Sequence, residues 1–263
     1  MTRQNFYARR AQRQRESVDA EFVAELVRKE RQLQPRLGTR KLLVLLRKEL
    51  AEAGVKLGRD RLFEILREKD LLVPPPVPES PHTTNSYHCL PVFTNRIKDL
   101  EAAQPNQVWV SDLTYLRTDE GFLYLALITD KASRKVVGYH CADTLEAEGC
   151  LTALERALGD LPQGAKPIHH SDRGTQYCCH LYVNRLSEAG LEISMTERDH
   201  CAENALAERM NGILKSEYGL KRTFKTKSSA RLTVDQAVLL YNTRRPHSAL
   251  QMRFPQEVHS LTA

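Results

Sequence analysis

Apolar positions in the middle of the chain alternate with polar ones in short runs, then give way to helical spacing. Runs at 108–117, 122–130 and 135–142 read as strands, joined through Thr118-Asp119-Glu120-Gly121 and Lys131-Ala132-Ser133-Arg134. A helical pattern over 145–158 follows. Next come a strand over 167–172, a helix over 176–189, a strand over 191–196 and a helix over 203–215. Three antiparallel strands followed by alternating helices and strands predict an α/β architecture, a mixed sheet with helices on its faces. A last helix over 228–241 must end near Arg245, because the residue before Pro246 disfavours helical geometry.

The first 72 residues read differently. Leu42, Leu43, Leu45, Leu46 and Leu50 in a helix over 39–53, and Leu62, Ile65 and Leu66 in a helix over 59–69, flank the turn Gly54-Val55-Lys56-Leu57-Gly58. The pair fits a helix-turn-helix and equally a small helical bundle. Leu72-Val73-Pro74-Pro75-Pro76-Val77-Pro78 breaks every regular pattern and predicts a stiff, extended linker. The expected layout is a basic helical domain over 1–72, a linker and connector over 73–104, a catalytic core over 105–219 and a basic helical extension over 220–263.

Charge follows that layout. Lys and Arg exceed Asp and Glu by seven in residues 1–72 and by six in 214–263, whereas 73–213 carry an excess of seven acids. Basic flanks around an acidic centre suit contact with phosphate backbones, with the acids held back for metal. The six cysteines form no Cys-x-x-Cys, so a zinc site built on Cys89 with His82 and His88 is not expected. With no signal peptide and no long apolar run, the expectation is a cytoplasmic protein with reduced thiols, associated with the nucleoid when on DNA, and without membrane contact.

Three acids stand out. Alternation puts Asp112 on the same strand face as Val108, Val110, Thr114 and Leu116, where a charge is costly unless paired or bound to metal. Asp172 closes a strand just before Arg173-Gly174, the place where open α/β sheets hold ligands, although an acid there can also simply organise the turn. Glu208 shares a helical stripe with Asn204, Asn211 and Lys215, which a solvated face would match equally well. Three carboxylates from three elements suffice for metal-dependent phosphoryl transfer. His169 and His170 beside Ser171 suggest no hydrolase, since no nucleophile elbow is present.

The motifs Trp109-Val110-Ser111-Asp112-Leu113-Thr114-Tyr115, His170-Ser171-Asp172-Arg173-Gly174-Thr175-Gln176-Tyr177 and Glu203-Asn204-Ala205-Leu206-Ala207-Glu208 occur in this order. Tyr241-Asn242-Thr243-Arg244-Arg245-Pro246-His247-Ser248-Ala249-Leu250 completes the set. In these four motifs, from about residue 105 to its end, the chain resembles the integrase-core (DDE) transposases of insertion sequences, relatives of retroviral integrases. The resemblance implies a ribonuclease-H-like mixed sheet flanked by helices, with a small all-α, helix-turn-helix-like domain in front. It implies cleavage and strand transfer at element ends and a catalytic, metal-holding triad of Asp112, Asp172 and Glu208. The cofactor would be Mg²⁺ or Mn²⁺, in two ions.

Lys215 falls on the family's DNA-contacting lysine. Further candidate DNA contacts are Asn204 and Asn211 on the stripe, Arg244, Arg245 and His247 at the last helix exit, and Arg40, Arg59 and Arg61, with Arg67, in the N-terminal helices. The exit group can instead lock the last helix to the core. Implied partners are double-stranded DNA of terminal repeats and target, further copies of the chain, and an upstream-frame protein, separate or fused. A noncatalytic DNA-binding protein and a nuclease without strand transfer are the competing readings. The chain departs from the family pattern at Glu203, where Asp is common, and lacks a Gly near Asp199-His200-Cys201, which bears on the loop before the last catalytic helix.

Overall fold

The computed structural model describes residues 7, 20–74, 89–197 and 203–261. It divides into two compact units, Met1–Val77 and Pro78–Ala263. Most of the proline-rich run, His82, His88 and the loop segment with Asp199, His200 and Cys201 lie outside the described residues.

In the first unit, helix α1 (residues 20–33) precedes α2 (Thr39–Leu45), α3 (Arg47–Glu52) and α4 (Arg59–Glu68). Val23 and Val27 of α1, Leu42, Leu46 and Leu50, and Leu62, Ile65 and Leu66 of α4 form one core. The single helix expected over 39–53 is two, because Leu46 opens to φ −83°, ψ −2°. Its N–H still reaches the Leu42 carbonyl at 2.9 Å, so the chain runs on with little change of course. Gly54, at φ +70°, then ends α3, the left-handed conformation glycine adopts without strain.

The second unit is a five-stranded sheet of β1 (Val108–Thr118), β2 (Gly121–Asp130), β3 (Val136–Ala142), β4 (Ile168–Ser171) and β5 (Glu192–Met195), in the order β3-β2-β1-β4-β5. β1 to β3 are antiparallel, while β4 and β5 run parallel to β1. One face is covered by α5 (Ala147–Gly159), α6 (Thr175–Cys178) and α7 (His180–Glu188), and its core includes Trp109, Ala126, Ile128, Leu154 and Tyr182. A β-carbon on Gly138 would lie 2.2 Å from the Ala153 carbonyl oxygen, so glycine there permits the close approach of α5 to β3. The helix expected over 176–189 is interrupted by Cys179, which is extended at φ −66°, ψ 148°.

The opposite face is covered by α8 (Ala205–Glu217) and α9 (Lys227–Arg244), with α10 (Pro255–Ser260) closing the described chain. Leu116, Leu123, Leu125 and Leu127 of the sheet share a core with Met210 and Leu214 of α8 and with Val234, Val238 and Tyr241 of α9. The Asn242 side chain accepts from Val136 N–H and donates to Val136 C=O, both at 3.0 Å, joining α9 to β3. The α/β mixed sheet expected from alternation is therefore present, and residues beyond 219 are built into it. Among the described residues no helix is long and apolar enough to cross a membrane.

Candidate active site

β1 lies at the centre of the sheet and carries Asp112, and β4 ends one residue before Asp172. The parallel register pairs Val108 with Ile168 and Val110 with His170, two residues before each acid. Asp112 falls on the face toward α8, where Asn211 reaches it, and Asp172 follows the end of β4, near enough for its charge to act on Asp112. Asp172 is set by its own turn, in which Gly174 N–H donates to its Oδ1 at 3.0 Å. Burial and the neighbouring Asp172 charge push the Asp112 carboxyl up to about 7, against a hydrogen bond from Asn211 that favours the ionised form.

The stripe on α8 is not a solvated face along its length. Asn204 is 2 % exposed and donates to the Ser111 carbonyl at 3.1 Å, and Asn211 is 6 % exposed and donates to Asp112 Oδ2 at 2.7 Å. Lys215 Nζ stands 4.8 Å from the Tyr115 ring centroid. Three stripe residues thus meet β1 in turn, and a small core of Val108, Val110, Ile168, Leu206 and Ala207 fixes the start of α8 beside them. These bonds turn Asn204 and Asn211 toward β1, where they hold the start of α8 and the Asp112 carboxylate. Glu208, in the first turn of α8, is exposed, and its charge adds a smaller upward push on Asp112.

Among the described residues no three His, Cys, Asp or Glu side chains converge closely enough to hold one ion. Of the other two acids, Asp172 acts on Asp112 more strongly than Glu208 does. Two mutually repelling carboxylates fit a hard divalent cation, which takes one or two carboxylates and fills its remaining positions with water and substrate phosphate.

Glu203 resolves what its place in the motif does. Its carboxylate accepts from Asn95 Nδ2 at 3.0 Å and from Glu197 N–H, while the Glu197 carboxylate accepts from Asn95 N–H at 3.0 Å. The two ends of the loop before α8 are thus tied to each other and to the segment around Asn95. Sequence reading missed Asn95, whose partners lie 102 and 108 residues away.

The histidines are both enclosed. His169 Nε2 lies 2.7 Å from Ser111 Oγ and 2.9 Å from the Tyr182 hydroxyl, and His170 Nδ1 lies 2.9 Å from Ser194 Oγ. At the exit of α9, Arg245 is 3 % exposed and forms a two-pronged ion pair with Glu217 at 2.7 and 2.8 Å, and His247 is buried. The guanidinium is held by Glu217, so this pair ties the exit of α9 to the end of α8. Arg244 is exposed. In the first unit Arg40 and Arg59 line a surface hollow of ≈ 420 Å³ with Lys41 and Phe63. Arg59 also pairs with Asp60 at 2.7 Å, Arg61 with Glu64 at 3.1 Å, and Arg67 lies 5.0 Å from the Phe63 ring.

Comparison with known proteins matches residues 102–201 and 189–255 to integrase core domains. Over 232 residues the chain is 38 % identical to the insertion element IS600 uncharacterized 31 kDa protein of Shigella sonnei, covering 86 % of this chain and 84 % of that one. Over 163 residues it is 39 % identical to transposase InsF for insertion sequence IS3A of Escherichia coli K12, covering 61 % of this chain and 57 % of that protein. The simian T-cell lymphotropic virus intasome structure, in complex with a PP2A regulatory subunit, overlays with a TM-score of 0.52 at 16 % identity, over 84 % of this chain and 70 % of that one, a likeness of fold. With a ribonuclease-H-like mixed sheet, integrase-core matches from residue 102 to 255 and a relative matched over most of both lengths, the chain belongs to the integrase-core family of insertion-sequence transposases, enzymes of the DDE polynucleotidyl transferase type.

Proposed function

We propose that the protein cleaves the ends of an insertion sequence and joins them to target DNA by metal-dependent phosphoryl transfer, with Asp112, Asp172 and Glu208 as the catalytic carboxylates. The observation that supports this reading is the parallel pairing of β1 with β4, which joins Val110 to His170 two residues before each of Asp112 and Asp172, together with the Asp172 charge felt at Asp112.

In this reading Asp112 and Asp172 hold Mg²⁺ or Mn²⁺, in two ions, and Glu208 closes on the site when DNA is present. A bound divalent cation supplies charge neutralisation and Lewis-acid polarisation at the phosphoryl oxygens. Asn211 holds the Asp112 carboxylate in one orientation and favours its ionised form. Lys215, at the far end of the same helix face, orients a backbone phosphate by charge. The nucleophile is water for cleavage and a 3′-hydroxyl for joining, aligned opposite the leaving oxygen. DNA and further copies of the chain are the partners that family membership implies. The N-terminal unit, with Arg40, Arg59 and Arg61, contributes end recognition, and an upstream-frame protein joins as fusion or separate chain.

The test is an assay with duplex DNA taken from the flanks of the reading frame, in Mg²⁺. Wild type nicks that DNA and transfers a precleaved end into a second duplex. Nicking without transfer points to a plain nuclease, and wild-type rates for Asp172→Asn overturn the site.

A further inference from the structure

Past the carboxylates β1 continues to Thr118, where a returning stretch of chain joins it. Gly219, at φ +74°, turns the backbone after α8, and Phe224 N–H then donates to the Arg117 carbonyl while Asp119 N–H donates to the Phe224 carbonyl, both at 2.9 Å. Leu220 and Phe224 are 1 % and 3 % exposed, so the returning segment is anchored in the core, and Lys221 and Arg222 between them stay at the surface.

Between this segment, α8 and β1 lies a hollow of ≈ 120 Å³ lined by Tyr115, Arg117, Lys215, Leu220 and Lys221. Three of the five lining side chains are cations and none is an acid. The aromatic wall continues outward: Tyr115 meets Phe122 edge-on at 5.5 Å, and Phe122, 50 % exposed, sits across from Arg117 in the β1–β2 register. A small cationic hollow beside a half-buried tyrosine and an exposed phenylalanine ring suits a polynucleotide backbone, with charge for the phosphate and a ring face for the adjoining nucleoside.

Its distance from the carboxylates is set by the strand. At about 3.3 Å per residue, Tyr115 and Arg117 stand roughly 10–17 Å beyond Asp112. Nucleic-acid strands rise about 3.4 Å per nucleotide, so the interval spans about three to five nucleotides.

We infer that Arg117 and Lys221 grip a backbone phosphate of the strand being cut, about three to five nucleotides from the scissile phosphate. The inference rests on the DNA-cutting reading above and adds a subsite to it. Arg117 and Lys221 do not touch the reacting atoms and so set binding and register rather than chemistry.

The experiment uses the full chain and duplex DNA from the flanks of the reading frame, with one methylphosphonate, an uncharged phosphate substitute, placed in turn at each position near the cut. Wild type binds several-fold more weakly when the substitute sits at the subsite position. The Arg117→Gln/Lys221→Gln variant loses that sensitivity. It also weakens binding by a similar factor on unrelated sequences and lowers the slope of log Kd against log salt by about one. Arg117→Lys/Lys221→Arg retains the wild-type profile, which separates lost charge from lost folding. An unchanged substitution profile and salt slope in the Gln variant overturns the subsite. Nicking by wild type is scored separately: without nicking there is no cut to count from and both readings fall, whereas intact nicking with an unchanged profile refutes the subsite alone.

Discussion

Asn211 and Asp112 are 99 residues apart in the chain, yet the amide of the first donates to the carboxylate of the second at 2.7 Å. Because the bond favours the ionised carboxylate against burial and the Asp172 charge, it opposes the other influences on that group. Asn211→Ala should therefore shift the acid limb of the nicking pH profile upward and slow the reaction by roughly tenfold, the worth of one hydrogen bond to a charged group. A profile superimposable on wild type would show that the contact is only structural.

The carboxylates should trade stability for activity. Asp112 is an acid whose pKa is raised in the folded state, so the metal-free protein loses stability as pH rises from the ordinary carboxylate range toward about 7. Asp112→Asn should raise Tm by a few degrees at pH 8, with a smaller gain at pH 5, while reducing nicking by roughly a hundredfold or more. Melting curves of the metal-free proteins at the two pH values read the first effect, and a lower Tm for the variant at pH 8 refutes it.

Acid should unfold the core through its histidines. Burial holds His169 down to about 3 and His170 down to about 4, whereas an unfolded imidazole takes its proton near pH 6.5. The unfolded chain thus binds more protons in that interval. Their contribution is complete above pH 6.5 and is lost as pH falls toward 4, by about 1.4 kcal/mol per pH unit for each histidine. His169→Gln should flatten this slope in urea titrations run between pH 7 and 5. An unchanged slope excludes His169 as a source of acid sensitivity.

The Arg245–Glu217 pair should be structural in effect. The Arg245 side chain is 4 % exposed, and removing it takes a two-pronged ion pair from the Glu217 carboxylate, 18 % exposed. Arg245→Ala should cost about 3–5 kcal/mol in urea unfolding while leaving the DNA affinity of the folded fraction unchanged. The opposite pattern, full stability with weakened DNA binding, restores a phosphate contact at this position.

Much of the sheet was legible because its signals are local. β1 to β3 show alternation and turn residues, and the places of Asp112 and Asp172 followed from strand ends and a glycine turn. Two helix interruptions, at Leu46 and Cys179, left no mark, since neither residue is a breaker and the change is a single ψ angle. Helix α1 passed unread because its inward positions are largely the small residues Ala20, Val23, Ala24 and Val27 among many charges. The roles of Asn204, Asn211 and Arg245 depend on partners 93, 99 and 28 residues away, which spacing within one helix cannot reveal.

The core shared by β1, β2, α8 and α9 restricts how such a protein can be cut and recombined. A splice at residue 219, the expected end of the catalytic core, would part Val234, Val238 and Tyr241 from the leucines they cover and expose both halves to aggregation. The exchangeable unit between relatives is thus the sheet together with α9. The N-terminal unit has a core of its own, whereas the second unit must be inherited as one piece.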